Sequence, residues 1–415
     1  MAIIERSKGK YTIEIHLGKD SNGKQKRYTE TFHCSKKSEA VAREAELKAQ
    51  YKKGDLTQIK KISFSEFIDL WMKEYAKPKL EDKTFYEYKG LLDRRVIPSL
   101  GFIRLDKLTP MDILMFENDL RKEGSRIDGK KGNLSEKTIR HYHFIINEIL
   151  ESAVKWGYIV NNPAQKIDKP KVTKKDIEYL NLEQTQRFIQ YLQCESIKHQ
   201  AFIMLAIDTG CRRGELVALT WNDVDFDRNI INIDKAVSSV PKNHSIKAPK
   251  TKSSVRKICV SANTMAILKT LKTKQISDKL RLGNKWQGTN DINNNRVFIK
   301  WNGEELKPNS VSDFVPDLIE RYNQKINEDK TINKELKEQL FLPQITLHGL
   351  RHTNATILIS KNINLKTVSS RLGHSNISTT MDIYTKALKS ADEEVANIMG
   401  EILIPSSKEN NEKLG

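Results

Sequence analysis

Hydrophobic and polar positions alternate with a period of two near the start of the chain. YTIEIHLG (11–18) and KRYTETFH (26–33) both show it, with Asn22-Gly23 at the centre of the turn between them. From Ser35 the pattern turns helical and runs to Gly54, so residues 1–58 read as a small module of three short strands and one helix. The next stretch, 62–160, is helical throughout. Ser63 and Glu66 form a capping box, and Thr109-Pro110 supplies a cap and a first-turn proline. Ser135 opens a long helix in which Ile139, Ile146, Leu150 and Ala153 share one face, and Gly157 ends it. Residues 161–176 hold two prolines, many lysines and few large apolar side chains, and read as an exposed basic linker.

Residues 177–400 mix both periods. Helices are expected from Leu180 to Leu192 and from Ile197 to Ile207. NIINIDKAV (229–237) and VRKICV (255–260) read as strands joined by a polar, lysine-rich loop. The Lys/Asn-rich stretches 272–295 and 323–339 read as elaborated loops or surface helices, and 401–415 as a polar tail. No fixed-period repeat is present. The fold class expected is multidomain α+β: a small three-stranded sheet plus helix, an all-helical domain, then a mainly helical domain with a small antiparallel sheet.

Composition narrows the function. The longest apolar run, AFIMLAI (201–207), is far short of the ~20 residues that span a bilayer. The first residues lack the apolar core of a signal peptide, so a cytoplasmic protein is expected. Four scattered cysteines with no CxxC pair argue against a disulfide framework or a cysteine-rich zinc site. Lys and Arg number 71 against 53 acidic residues, a net charge of +18, which suits a polyanionic partner such as DNA. A merely basic soluble protein has the same composition.

The candidate chemistry lies in an ordered set of residues. TGCRRGELVALTW (209–221) puts Arg212 at a glycine-led helix start, and APKTKSSVRKI (248–258) puts Lys250 in a turn between strands. ITLHGLRHTNATILI (345–359) sets His348 and Arg351 three apart, on one helix face. RLGHSNISTTMDIYTKA (371–387) brings His374 and then Tyr384. Metal-free transfer of a phosphodiester needs a nucleophile, a proton donor for the leaving oxygen and cations for the non-bridging oxygens. Arginine forks, histidines, a lysine and a tyrosine supply these parts. Each residue alone has a plainer reading: a surface arginine at a cap, a solvated lysine, a core histidine or tyrosine. His348 and His352 are spaced like zinc ligands, but HGLRH has glycine where the zincin pattern HExxH has its glutamate, and no cofactor or metal is expected. Glu215 reads as structural, answering a nearby basic group.

Taken together, TGCRRGEL, PKTKSSVRKI, LHGLRHTNATIL and LGHSNISTTMDIYTKA resemble the successive active-site motifs of the tyrosine recombinase family, in the family's order. LSEKTIRHYHFIINEILESAVKWGYIVNNPA (134–164) resembles the last helix of its core-site-binding domain and the linker that follows. GKYTIEIHLGKDSNGKQKRYTETF (9–32) resembles the sheet of the arm-site-binding domain of phage and conjugative-transposon integrases. The resemblance implies an arm-binding module at 1–58, a SAM-like core-binding domain at 62–160 and a catalytic domain at 177–400. It implies Tyr384 as nucleophile forming a 3′-phosphotyrosine and Lys250 as general acid, with Arg212 and Arg351 on the scissile phosphate. His348 would support proton transfer and His374 would donate a hydrogen bond to the phosphate. Lys252, two residues on and on the same face of an extended strand, competes with Lys250. Double-stranded DNA, a homotetramer on synapsed sites and accessory DNA-bending or excision factors are the implied partners. The rival readings are a DNA-binding architectural protein without cleavage and a type IB topoisomerase, which shares the chemistry.

Overall fold

The structure, a computed structural model, describes residues 2–19, 23, 25–52, 61–173, 178–240, 243–247, 255–374, 376–378, 380–381 and 399. Lys250, Lys252 and Tyr384 lie outside the described residues, as do Asn22 of the first turn, Gly54 and the tail 401–415. The chain divides into two compact units, 1–174 and 175–415.

In the first unit, β1 (Ala2–Ser7), β2 (Lys10–Lys19) and β3 (Gln25–His33) form an antiparallel sheet in that order. Alternation decides its faces. Tyr11, Ile13 and Ile15 are buried on one side, where Leu47 of α1 (Lys37–Lys52) closes a small core. Thr12, Glu14 and His16 take the other side, opposite Thr31, Thr29 and Arg27 of β3.

The helical part begins at α2 (Phe64–Trp71), which passes through a π turn at Met72–Ala76 into α3 (Lys77–Lys79). A second interrupted helix follows, α4 (Asp82–Leu91), a π turn at Leu92–Val96 and α5 (Ile97–Leu100). Then come α6 (Pro110–Arg121) and α7 (Glu136–Lys155). The expected capping signals are present: Ser63 with Glu66, Thr109 with Asp112, and Ser135 on Thr138. Gly157 takes φ +74° just beyond α7, where a left-handed residue ends a helix at least cost. Phe64, Phe67, Trp71, Ile139, Ile146 and Leu150 are buried in one core. Full burial stabilises by ~1.5–3 kcal/mol for each such side chain. Two polar pairs are buried with them, Trp71 Nε1–H on Ser152 Oγ at 2.9 Å and His143 with Glu117 at 2.8 Å.

The second unit carries α8 (Leu182–Leu192), α9 (Ile197–Thr209) and α10 (Arg213–Ala218), then β4 (Val224–Asp225), β5 (Ile230–Ile233), β6 (Ala236–Val240), β7 (Asn243–Lys247) and β8 (Arg256–Cys259). Helices α11 (Ala262–Leu282), α12 (Phe314–Glu328), α13 (Lys334–Leu340), α14 (Leu347–Ser360) and α15 (Leu365–Leu372) follow. One antiparallel sheet runs β4-β5-β8, and β6 and β7 pair as a separate hairpin.

Five expectations need correction. The linker read as exposed over 161–176 is packed at its start, where Asn162 caps a short 3-10 turn (Pro163–Lys166) and Asn162, Pro163 and Ala164 are buried. The strand read over 229–237 is two strands in different sheets, broken where Lys235 turns to meet Asp223 at 2.7 Å. The lysine-rich loop after it contains the β6–β7 hairpin. Of the stretch 272–295, the first part is the end of α11, one face of which buries Leu268, Leu271 and Gln275. Leu180 precedes its helix rather than starting it, because Asn181 caps α8 through Gln184.

Candidate active site

The site grows from one tight turn. Helix α9 is apolar and buried at Phe202, Ile203 and Leu205, and it stops at Gly210, which takes φ +61°. A Cβ at this position would lie 2.4 Å from Leu372 Cδ2 and 3.0 Å from Asn354 Oδ1, so both the backbone and the packing of α14 and α15 require glycine. Two residues on, Arg212 is the extended N-cap of α10, and its backbone N–H donates to Glu215 Oε2 at 2.9 Å. The Arg212 guanidinium donates to Glu215 Oε1 at 2.9 Å and to the Gly373 carbonyl at 2.9 Å, and keeps 40% of its side-chain surface open.

Arg351 comes from the second turn of α14 and is 2% exposed. Its Nη1–H donates to the Gly210 carbonyl at 2.7 Å, while Nη2 has no hydrogen-bond partner among the described residues. Burial, then repulsion from Arg212, brings its pKa down to about 9, which leaves it cationic at neutral pH. A buried guanidinium nitrogen without an acceptor is costly unless an anion joins it.

His348 stands three residues before Arg351 and packs edge-to-face on His352, ring centroids 4.9 Å apart. Burial, then repulsion from Arg351 and Arg212, lowers its pKa below the ordinary 6.5. His374 is positioned by the end of α15. Gly373 is left-handed at φ +67°, its N–H reaches the Ser370 carbonyl, and the His374 N–H reaches the Ser369 carbonyl at 3.0 Å. That is the Schellman pairing, and it fixes the residue after the glycine. Thr380 Oγ1 lies 2.9 Å from His374 Nδ1. Burial, then Arg351 and Arg212, lower the His374 pKa to about 4. Both imidazoles are therefore neutral at pH 7 and able to donate one hydrogen bond each.

Glu215 is 3% exposed and works as the sequence suggested. Burial opposes its ionisation, but bonds from Arg256 and Arg212 outweigh it and hold the pKa below the usual carboxylate value. Arg256 is the residue the sequence reading passed over. It stands on β8 beside the inward Ile258 at a spacing of two, and an arginine on the buried face of a strand was the available signal.

The structure brings Arg212, His348, Arg351 and His374 together. Among the described residues no group of three or more His, Cys, Asp or Glu side chains is placed to hold a metal ion. Fixed cationic donors around a partly open space, with the nearby carboxylate already neutralised, suit a phosphodiester oxyanion.

Such a site in such a mainly helical fold suits an enzyme that acts on a phosphodiester. Residues 178–391 match the phage integrase family, just over half of the chain, and residues 63–121 match the N-terminal SAM-like domain of phage integrases. The chain belongs to the phage integrase family. It is 26% identical to the XerC-like tyrosine recombinase of Caldanaerobacter subterraneus subsp. tengcongensis, over 97% of this chain and 98% of that protein. It is 21% identical to the ICEBs1 integrase of Bacillus subtilis, over 97% of this chain and 100% of that one. Among solved structures, the Tn1549 transposon integrase in complex with transposon right end DNA superposes with a TM-score of 0.62 at 22% identity, covering 81% of this chain and all of that one. The protein is thus a tyrosine recombinase of the phage or conjugative-transposon integrase type, an enzyme that cuts and rejoins DNA. Among the described residues no helix is long and apolar enough to cross a membrane.

Proposed function

We propose that Tyr384 attacks the scissile phosphate, that Arg212 and Arg351 hold its non-bridging oxygens, and that Lys250 protonates the departing 5′ oxygen. His348 assists proton transfer and His374 donates a hydrogen bond to the phosphate. The supporting observation is Arg351: a buried guanidinium with one nitrogen unpartnered among the described residues, next to Arg212 and two neutral imidazoles. Such donors stabilise charge that grows at phosphorus without having to reorganise. The 3′-phosphotyrosine formed keeps the energy of the broken ester, and the 5′ hydroxyl of a partner strand reverses it.

In this reading, residues 1–58 bind arm sites, 62–160 grip the core site and 177–400 carry the chemistry. Residues 161–176 are the basic linker between the two core-site domains. The enzyme assembles as a homotetramer on synapsed DNA, with accessory bending or excision factors, in the cytoplasm at the nucleoid. A lambda integrase tetramer bound to a Holliday junction shares the fold at a TM-score of 0.50.

A nicked duplex that loses its 5′ hydroxyl on cleavage traps the covalent complex, and sequencing its junction locates the crossover. Tyr384→Phe is expected to remove the adduct while half-site binding stays within about threefold, because affinity resides in phosphate contacts. An adduct still formed by the Phe variant places the nucleophile elsewhere.

A further inference from the structure

We infer that Arg256 is a positioning residue for strand transfer: it fixes the end of α15, and so His374, against Arg212. The inference rests on the assignment of Arg212 and His374 to the scissile phosphate.

The observation is a set of contacts centred on one carboxylate. The Arg256 side chain, 7% exposed, donates Nε–H to the Arg371 carbonyl at 2.7 Å and Nη2–H to Glu215 Oε2 at 2.9 Å. Arg212 donates to the same carboxylate at 2.9 Å and, through Nη2, to the Gly373 carbonyl at 2.9 Å. Two carbonyls flanking the helix stop are thus held by two arginines that share Glu215.

The contacts answer a need of the helix. The last turn of a helix leaves carbonyls without partners. The backbone of Gly373 and His374 satisfies Ser370 and Ser369. Arg256 takes the Arg371 carbonyl, and its positive charge suits a helix C-terminus. Lysine has one nitrogen on a flexible stem and cannot reproduce a fork that spans a carboxylate and a carbonyl at once. Arg256 acts through its neighbours and not on the reacting atoms. Its loss lets α15 shift, and a displacement of about 1 Å at His374 is enough to slow cleavage by roughly 10²-fold.

The test uses the full chain and single-turnover cleavage of a duplex carrying the crossover sequence, with half-site affinity and thermal unfolding read alongside. Arg256→Lys keeps the charge and loses the fork; cleavage is expected to fall about 10- to 100-fold, with affinity nearly unchanged. Combining Arg256→Gln with Glu215→Gln removes that ion pair as a unit and leaves Arg212 an amide oxygen to donate to in place of the carboxylate. This pair is expected to unfold near the wild-type temperature and still to cleave about 10²-fold slowly. Arg212→Lys with Arg256→Lys is expected to cost little more than the worse single change, because both disturb one phosphate position.

Wild-type cleavage by the neutral pair overturns the inference, and so do failure of that pair to fold and multiplicative costs in the lysine pair. If Arg212→Ala cleaves normally, the phosphate assignment itself falls and this inference with it. A crippled Arg212→Ala beside an unaffected Arg256→Lys removes this inference alone.

Discussion

Arg351 and Arg212 carry the same charge but meet different surroundings. Arg351 is sealed into α14 with its carbonyl partner at Gly210, while Arg212 keeps 40% of its side chain open. Removing either donor should cost cleavage roughly 10²–10³-fold, about 3–4 kcal/mol of transition-state stabilisation. Single-turnover rates of Arg212→Ala and Arg351→Ala, compared with half-site affinity, check this; a loss confined to affinity contradicts it. The histidines make a pH prediction. His374 has a folded pKa of about 4 against the ordinary 6.5. The unfolded chain therefore binds the proton first, and stability drains away as pH falls from about 6.5 towards 4. His348 shifts in the same direction. The DNA-free wild type should lose more thermal stability between pH 7 and pH 4.5 than His374→Gln does. Equal losses would mean that His374 titrates normally. These four residues were legible in the sequence because each sits at a marked local position: after a glycine, at a helix start, or three apart on one face. Arg256 was not, since its partners Glu215 and Arg371 lie far from it along the chain.

Elements reached the site by routes of unequal visibility. Helix boundaries were readable wherever a side chain caps them, as at Ser63, Thr109 and Ser135, because that chemistry is local. The strand read at 229–237 was not readable as two, since its halves pair with strands distant from each other in different sheets. Gly210 joins both kinds. Its sequence setting marks the lead-in to a helix start, but the contact with Leu372 that forbids a side chain belongs to the packing of α15. Gly210→Ala should destabilise the protein by about 1–2 kcal/mol for the left-handed backbone alone, and more once Leu372 is displaced. Ser63→Ala, a cap remote from the site, should cost about 1 kcal/mol and leave cleavage untouched. Denaturant midpoints with paired cleavage rates distinguish the two; normal cleavage by Gly210→Ala would show that α15 relocates without consequence.

For the whole molecule, the charge of +18 is shared between a unit built for chemistry and one that begins with a small sheet. The outer face of that sheet carries Thr12, Glu14, His16, Arg27, Thr29 and Thr31, and Arg27 pairs with Glu14 at 2.9 Å. A narrow sheet enters the major groove, where base edges are distinguishable. The full chain is therefore expected to protect a second DNA sequence beyond the crossover site. A shortened chain beginning at Lys61 should lose that footprint and keep the first. Identical footprints would detach the sheet from DNA recognition.

The sequence by itself determined the order of the parts: a strand-rich start, a capped helical region and a run of motifs ending at Tyr384. Periodicity, caps and turn residues act over a few positions, so these were written locally. Tertiary structure decided what the motifs do to one another. It set Arg351 on the Gly210 carbonyl, drew Arg256 onto the buried Glu215 that Arg212 already caps locally, and made the end of α15 the support for His374. Contacts between residues 41 to 161 positions apart exist only once the core has closed, and no local pattern encodes them.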